Sequence, residues 1–400
     1  MSEVANIPQL RFPGFSDEWE ERPLKDVSTF FNGKAYKQAE LLSSGKYPVL
    51  RVGNFFTNNS WYYSNLELDE NKYCDNGDLL YAWSASFGPR IWAGEKVIYH
   101  YHIWKVINHS QVTKKFLFIV LDNETAKMKA QSANGFALLH ITKGTIENWK
   151  INLPTRQEQQ KIAAFLAAVD SKIEQLSKKQ ALLGEYKKGL MQQIFSQAIR
   201  FKANDDSEFP DWEEKKLGDV CKLQGGYAFK SAEFQKHGIP IIRISNISNN
   251  NDFIDNRNLV YYNEIKNSDK FIIKNGDLIV AMSGATTGKS SIYNLIEDAY
   301  LNQRVGLFKA NNSLLDYGFL IQIVFSYIFA TQLDSVLVAG AQPNVSSKDI
   351  EGFEISLPSK IEQNKIANFL SSIDRKIEQV SKQLVESKQF KKALLQQMFV

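Results

Sequence analysis

The sequence predicts an α+β fold built as an internal duplication: two β-rich globular regions, each followed by one long helix. Three observations carry this. Leu153–Phe195 and Leu357–Phe399 align without a gap and are identical at about half their positions, and self-similarity of this kind decides the architecture. Both segments place apolar residues at alternating steps of four and three, the seam of a paired helix. The regions that precede them share short matched islands.

The first region, about 10–150, opens with Trp19-Glu20-Glu21, Leu24, Asp26 and Val27; the second, about 203–355, opens with Trp212-Glu213-Glu214, Leu217, Asp219 and Val220. Val49-Leu50-Arg51-Val52 and Ile241-Ile242-Arg243-Ile244 read as short buried strands. Asn76-Gly77 and Asn275-Gly276 are turn signals ahead of strands at 78–83 and 277–282. The apolar runs 116–121 and 318–329 fit helices packed on a sheet, although periodicity alone does not settle them. Segment 201–211 is polar and turn-rich, as a linker should be. Between the islands the two regions differ almost completely. The expected segments are 1–152, 153–200, 201–356 and 357–400.

Each long helix opens with Leu-Pro, and proline is tolerated in a first helical turn. No proline follows within either copy, so each is one helix of about 40 residues, roughly 60 Å long. The seam runs through Ile162, Leu166, Val169, Ile173, Leu176 and Leu183 in the first copy, and Ile366, Leu370, Ile373, Ile377, Val380 and Leu384 in the second. So narrow an apolar stripe on so long a helix requires a partner helix, and the other copy is the obvious one. Lys161, Lys172, Lys178, Lys365, Lys376 and Lys382 fall on the remaining faces, open to solvent, partner subunits or phosphates.

Composition bounds the function. The 400 residues are 44% hydrophobic and 23% charged with net charge +4, ordinary for a folded domain protein. No window is long and apolar enough for a membrane span, and no secretory signal is evident at the N-terminus. Cys74 and Cys221 are isolated, without zinc-ligand spacing. A reducing, cytoplasmic setting is expected. Ser283-Gly284-Ala285-Thr286-Thr287-Gly288-Lys289-Ser290 resembles a phosphate-binding P-loop but is one residue short between its glycines, and a strand rather than a helix should follow. Its backbone amides, hydroxyls and cation suit a nucleic-acid backbone instead. His100 and His102 sit at strand spacing without a third ligand, which favours a polar strand face over a metal site. No methyltransferase signature, no metal site and no nucleophile with a partnered base is found. The chain reads as a binding protein, not an enzyme.

The duplicated opening Leu-Pro-x-x-x-Glu-Gln-x-Lys-Ile-Ala-x-Phe-Leu-x-x-[Val/Ile]-Asp-x-Lys-Ile at 153–173 and 357–377 resembles the DNA-specificity subunit of type I restriction-modification systems. Trp-Glu-Glu-x-x-Leu-x-Asp-Val, Asn-Gly-Asp-Leu and Gly340-Ala341-Gln342-Pro343-Asn344-Val345 add to the resemblance, which covers nearly the whole chain. It implies two target recognition domains, each reading one half of a split DNA sequence, separated by two long helices that pair as an antiparallel coiled coil and act as a ruler. It also implies docking of methyltransferase subunits, two of them, and of restriction subunits, again two. S-adenosylmethionine, ATP and Mg then belong to those partners, with no cofactor in this chain. A duplicated chain tends toward a pseudo-twofold axis, which agrees with helices running antiparallel. The second half follows the family pattern at Leu301-Asn302-Gln303-Arg304. The first departs from it, with His100-Tyr101-His102 and Ala137-Leu138-Leu139-His140 in the corresponding places.

Arg can pair with guanine and Asn or Gln with adenine in the major groove. The DNA-binding candidates in the second half are Arg243, Asn246, Thr286, Thr287, Lys289, Asn302, Gln303, Arg304, Gln342 and Asn344. In the first half they are Lys34, Lys37, Arg51, Asn54, Trp83, Ser84, Arg90, His100 and His102. Arg51 and Arg243 recur in both halves, which suits scaffold or phosphate contacts better than base reading. A coiled-coil adaptor presenting two protein-binding domains is the competing reading. It would share the helices, but it has no need of loops rich in Asn, Gln, Thr, Arg and Lys.

Overall fold

A computed structural model describes residues 6–56, 58–84, 86–132, 141–247, 252–265, 269–339 and 344–399. The chain forms two compact units, residues 1–177 with 382–400, and residues 178–381. The division falls inside both long helices. Each unit takes the start of one helix and the end of the other.

In the first unit, Glu20–Pro23 pairs antiparallel with Lys150–Leu153, which closes the globular region where the long helix begins. One four-stranded antiparallel sheet runs Ser28–Asn32, Ile103–Asn108, Leu79–Ala82, Gly88–Ile91. A second runs Tyr62–Ser64, Tyr47–Leu50, Val97–Tyr99, Tyr73–Cys74, and Tyr47–Leu50 lies parallel to Val97–Tyr99. Gly77 takes the positive φ of 88° that the turn before Leu79–Ala82 requires. Helix α1, Lys114–Ser132, buries Phe116, Leu117, Val120 and Leu121 in the core that also holds Trp19, Tyr81 and Trp104. Helix α2 is Arg156–Phe195.

The second unit repeats this plan. Glu213–Lys216 pairs with Glu354–Leu357. The sheets run Cys221–Gly225, Val305–Ala310, Leu278–Ala281, Ser290–Ile292 and Val260–Tyr262, Ile239–Ile242, Ala299–Leu301, Ile272–Ile273. Ser290–Ile292 is the strand expected in place of a P-loop helix. The apolar run at 318–329 forms two helices, α3 (Tyr317–Val324) and α4 (Tyr327–Ala339), bent by 54°. At the bend Ser326 Oγ donates to the Ile323 carbonyl at 2.6 Å, a local bond that competes with helix continuation. Among the described residues no single helix is long and apolar enough to cross a membrane. Helix α5 is Lys360–Met398.

The strands expected at 49–52 and 241–244 end earlier, at Leu50 and Ile242; the chain then turns into a short helix at Val52–Phe56 and a 3-10 turn at Ile244–Asn246. Cys74 and Cys221 are both buried and free.

The helix pairing is visible within each unit. In the first, Ile162 and Leu166 of α2 share a core with Leu394 and Met398 of α5, and Lys391 Nζ lies 2.6 Å from Asp170 Oδ1. In the second, Met191, Ile194 and Phe195 share a core with Ile366, Leu370 and Ile373, and Lys187 Nζ lies 2.5 Å from Asp374 Oδ1. Each ion pair joins the lysine of one repeat copy to the aspartate of the other, and the start of one helix meets the end of its partner. Within each unit the helix segments pair antiparallel as a coiled coil, and the second unit repeats the arrangement of the first. Ile162, Leu166, Leu176, Ile366, Leu370, Ile373, Val380 and Leu384 are buried; Val169, Ile173, Leu183 and Ile377 are half-buried.

The Glu-Gln of the repeated opening has a structural purpose. Glu158 is fully buried and takes a two-pronged ion pair from Arg11 at 2.7 and 2.8 Å. Glu362, also fully buried, takes Arg200 at 2.9 Å and the Trp212 indole N–H at 3.1 Å. Gln159 accepts from the Thr113 amide and donates to the Gln111 and Pro154 carbonyls. Gln363 does the same with Asp316, Leu314 and Pro358. Each pair fastens a helix start to its globular region. The linker at 201–211 is tied down for the same reason, with Phe201 against Phe369 and Phe209 buried. Lys161, set on a free face by the sequence, instead lies over Phe12 and Phe15 at about 5.5 Å. Lys365 donates to the Lys202 carbonyl at 2.6 Å and lies over Phe209.

Candidate nucleic-acid interface

Most of the polar loops identified in the sequence converge at one end of the two sheets in each unit. In the second, the turn 302–304 is held by Asn302 N–H to the Ile242 carbonyl (3.0 Å), Gln303 N–H to Tyr227 (2.9 Å) and Met282 N–H to Arg304 (2.9 Å). Tyr227 N–H donates to Leu301 and Val345 N–H to Met282. The first unit repeats all five bonds: His100 to Leu50, Tyr101 to Lys34, Trp83 to His102, Lys34 to Tyr99 and Ile141 to Trp83. The backbone is one object made twice. The side chains upon it are not.

Close approach requires glycine in both copies. A Cβ on Gly226 would stand 2.1 Å from the Leu301 carbonyl oxygen, and one on Gly33 would stand 2.3 Å from that of Tyr99. The sequence carries the signal as Gly33-Lys34-Ala35-Tyr36-Lys37 and Gly226-Tyr227-Ala228-Phe229-Lys230, an island too short and too weakly periodic to stand out without the structure. Arg11-Phe12 and Arg200-Phe201 form another.

The sequence candidates separate into two groups. Several serve the frame. Asn246 is 1% exposed, accepts from Arg243 N–H and donates to the Asp255 carbonyl, so both ends of its amide are bonded to the frame. Asn54 donates to the Asn58 and Ser60 carbonyls at 3.1 and 2.7 Å. Arg51 stacks on Tyr62 at 4.2 Å and reaches the Ser60 carbonyl; Arg243 lies over Phe234 and donates to the Asn258 carbonyl at 3.2 Å. Thr286 and Thr287 donate to the Ile244 and Gly284 carbonyls and shape their loop. Ser84 is buried, and Lys34 pairs with Glu40 at 3.3 Å.

The others face outward. Lys37, Arg90, Lys289, Gln303, Arg304 and Asn344 are exposed, and Asn302, Trp83, His100 and His102 are half-buried. Asn344 pairs with Ser283 beside the 284–289 loop. Arg90 stands apart from the turn, over the Phe55 and Phe56 rings at 5.7 and 5.2 Å. Gln342 and the 137–140 segment lie outside the described residues. In the first unit the surface is a run of rings: Tyr36 on His100, Tyr101 on His102 at 3.9 Å, Trp83 against His102 at 4.9 Å and stacked on Trp104. Trp83 Nε1 donates to the Tyr101 carbonyl at 2.8 Å. Among the described residues no group of three or more His, Cys, Asp or Glu is placed to hold a metal ion.

Burial, followed by the nearby His102 and Arg51, pushes the His100 imidazole from 6.5 down to about 4. The folded chain thus resists a proton that the unfolded chain accepts. The part of the stability linked to His100 is complete above about pH 6.5 and is lost as pH falls from there toward 4. Melting curves of the parent and H100Q across this window are expected to converge at acidic pH; parallel curves would count against the assignment.

A common frame that carries two chemically different outward surfaces makes this a tandem-repeat protein. Residues 16–183 and 210–387 each match the type I restriction modification DNA specificity domain, and the chain belongs to that family. It is 28% identical to the type I restriction enzyme MjaVIII specificity subunit of Methanocaldococcus jannaschii, over 96% of this chain and 92% of that one. It is 21% identical to the Escherichia coli EcoBI specificity subunit, over 92% and 82%. In fold it is similar to the S subunit of the type I restriction-modification system of M. genitalium, with a TM-score of 0.65, 16% identity and 98% and 99% of the two chains covered.

Proposed function

We propose that this chain is the non-catalytic DNA-reading subunit of a type I restriction-modification complex and that it recognises a bipartite, asymmetric target. The observation that carries this is the repeated five-bond backbone at 100–102 and 302–304 with unlike side chains on it. Two surfaces of the same construction and different chemistry fit two unequal half-sites, with the helix pair setting the gap between them. Outward Gln303, Arg304, Lys289 and Asn344, with Trp83, His100 and His102 in the first half, suit base edges and phosphates. Lys37 and Arg90 suit phosphates. Target recognition falls to residues 1–152 and 201–356, and spacing to the helical segments 153–200 and 357–400.

Partner docking falls to the outer helix faces. Tyr186 and Phe390 occupy the same repeat position, one per helix, and are 56% and 53% exposed. Large exposed aromatics are typical interface anchors, and one per copy suits two methyltransferase subunits. Those subunits would carry S-adenosylmethionine, and two restriction subunits would carry ATP and Mg, in the cytoplasm.

The test is selection from a random duplex pool by the full chain with its methyltransferase partner. Two unequal half-sites at a fixed gap are expected. A pool that emerges without enrichment would sink the reading in favour of a protein adaptor.

A further inference from the structure

The two units differ in the helix that packs beside the first sheet. Helices α1 and α3 begin at the same repeat position: the Thr113 and Asp316 amides donate to Gln159 and Gln363, one glutamine per copy. Helix α1 then continues as one helix to Ser132, whereas α3 stops at Val324 and α4 leaves at 54°. At that bend lies a groove of about 510 Å³ between α4 and the turn 287–290. Phe325, Phe329, Leu333 and Leu337 line its helix side, and Asp252, Asp334 and Lys289 border it. On α4, Tyr327 is 43% and Val338 87% exposed, so the helix shows apolar surface beyond the groove as well. An apolar groove continued by exposed apolar side chains marks a contact surface. Two carboxylates against one ammonium favour a cationic occupant.

The groove is continuous with the helix face proposed above for partner docking. Asp252 lies in the electrostatic field of Lys187 and Asp374, and Lys187 follows Tyr186, the exposed aromatic of α2. In the first unit Asp122 of α1 lies in the field of Lys391 and Asp170, and Lys391 follows Phe390. Each junction thus holds an aromatic, a lysine and two carboxylates. The second leads on into the groove; beside the first, α1 runs on unbroken.

We propose that the groove is a docking site for a basic amphipathic helix of the methyltransferase subunit. The helix lies along α4 with apolar side chains at Phe329 and Leu333 and a Lys or Arg toward Asp252 and Asp334. Resting on the docking at Tyr186 and Phe390 proposed above, the inference adds a surface on one globular region and makes the two docking positions unequal. The methyltransferase subunit beside Tyr186 is held at two places, the one beside Phe390 at one. The position in the second unit therefore fills first.

The experiment is native mass spectrometry of the full chain titrated with the purified methyltransferase subunit. The parent should pass through a 1:1 complex, its first subunit held at least about tenfold tighter than its second. Ala330→Trp, at an exposed position on the groove, fills it, and Asp334→Lys, also exposed, reverses its charge. Each should weaken the first step about tenfold and leave the second unchanged. Hydrogen exchange on the parent's 1:1 complex should show protection over 325–338. Equal steps in the parent overturn the inference, as do unchanged steps in both variants. Should either variant melt below the parent, hydrogen exchange on the parent decides: 325–338 left unprotected in the 1:1 complex overturns the proposal. A parent that binds no methyltransferase subunit defeats the docking reading itself, which separates that failure from failure of the groove.

Discussion

Replacing Glu362 by alanine is expected to lower the melting temperature of the chain by on the order of 10 °C. The carboxylate is fully buried and receives Arg200 Nη2 at 2.9 Å, Arg200 Nε at 3.3 Å and Trp212 Nε1 at 3.1 Å. Truncation leaves a guanidinium that is only 19% exposed, with Asp211 at 3.8 Å, the more distant Glu208 and the Phe209 and Pro210 carbonyls as its remaining partners. Breaking a buried ion pair from one side costs about 3–5 kcal/mol, and each kcal/mol moves the melting point of a unit this size by about 2–4 °C. Glu362→Gln should fall between, since the amide oxygen still accepts from the indole. Glu158→Ala should cost less, because Arg11 pairs with Glu158 while Trp19 Nε1 makes no bond to it. Thermal melts of the three variants check this order. An E362A chain that melts within about 2 °C of the parent would show that the pair contributes little.

Gly226→Ala is expected to abolish recognition of one half-site while leaving the helix pair intact. The new Cβ would sit 2.1 Å from the Leu301 carbonyl oxygen and 2.4 Å from that of Asn302. Both are backbone atoms, and they cannot swing aside as a side chain can. The turn 302–304 must move, carrying Gln303 and Arg304 with it. Several base contacts of about 1–3 kcal/mol each would be misplaced, so affinity should drop on the order of a hundredfold. Binding to duplexes with either half-site scrambled locates the loss: for G226A, scrambling the second half-site should no longer matter. Gly33→Ala should give the mirror result, since its Cβ would meet the Tyr99 and His100 carbonyl oxygens at 2.3 and 2.4 Å. Unchanged affinity with an unchanged melting point would count against a role for this backbone in reading.

The resemblance of the two halves was legible in sequence wherever a residue is constrained by the frame. Leu-Pro-x-x-x-Glu-Gln recurs because its Glu and Gln are buried and bonded to atoms fixed by the fold. Asn-Gly-Asp-Leu recurs because the turn needs a positive φ at Gly77 and Gly276. The candidate interface was less legible. Asn246 and Asn54 have the composition of base readers, yet their amides close loops. Polarity in a loop does not say whether a group faces solvent or its own backbone.

By itself the sequence determined the duplication, the two long helices and their seam, because repeat identity and the spacing of apolar residues are local properties of a chain. Only the tertiary structure decided which halves of which helices belong to one unit, and that Lys391 meets Asp170 while Lys187 meets Asp374. It also decided that two dissimilar triplets share one backbone. The reason is that hydrogen bonds between main-chain atoms far apart in sequence leave almost no trace in residue identity. Glycine is the exception, and at Gly33 and Gly226 the missing Cβ is what makes room for them.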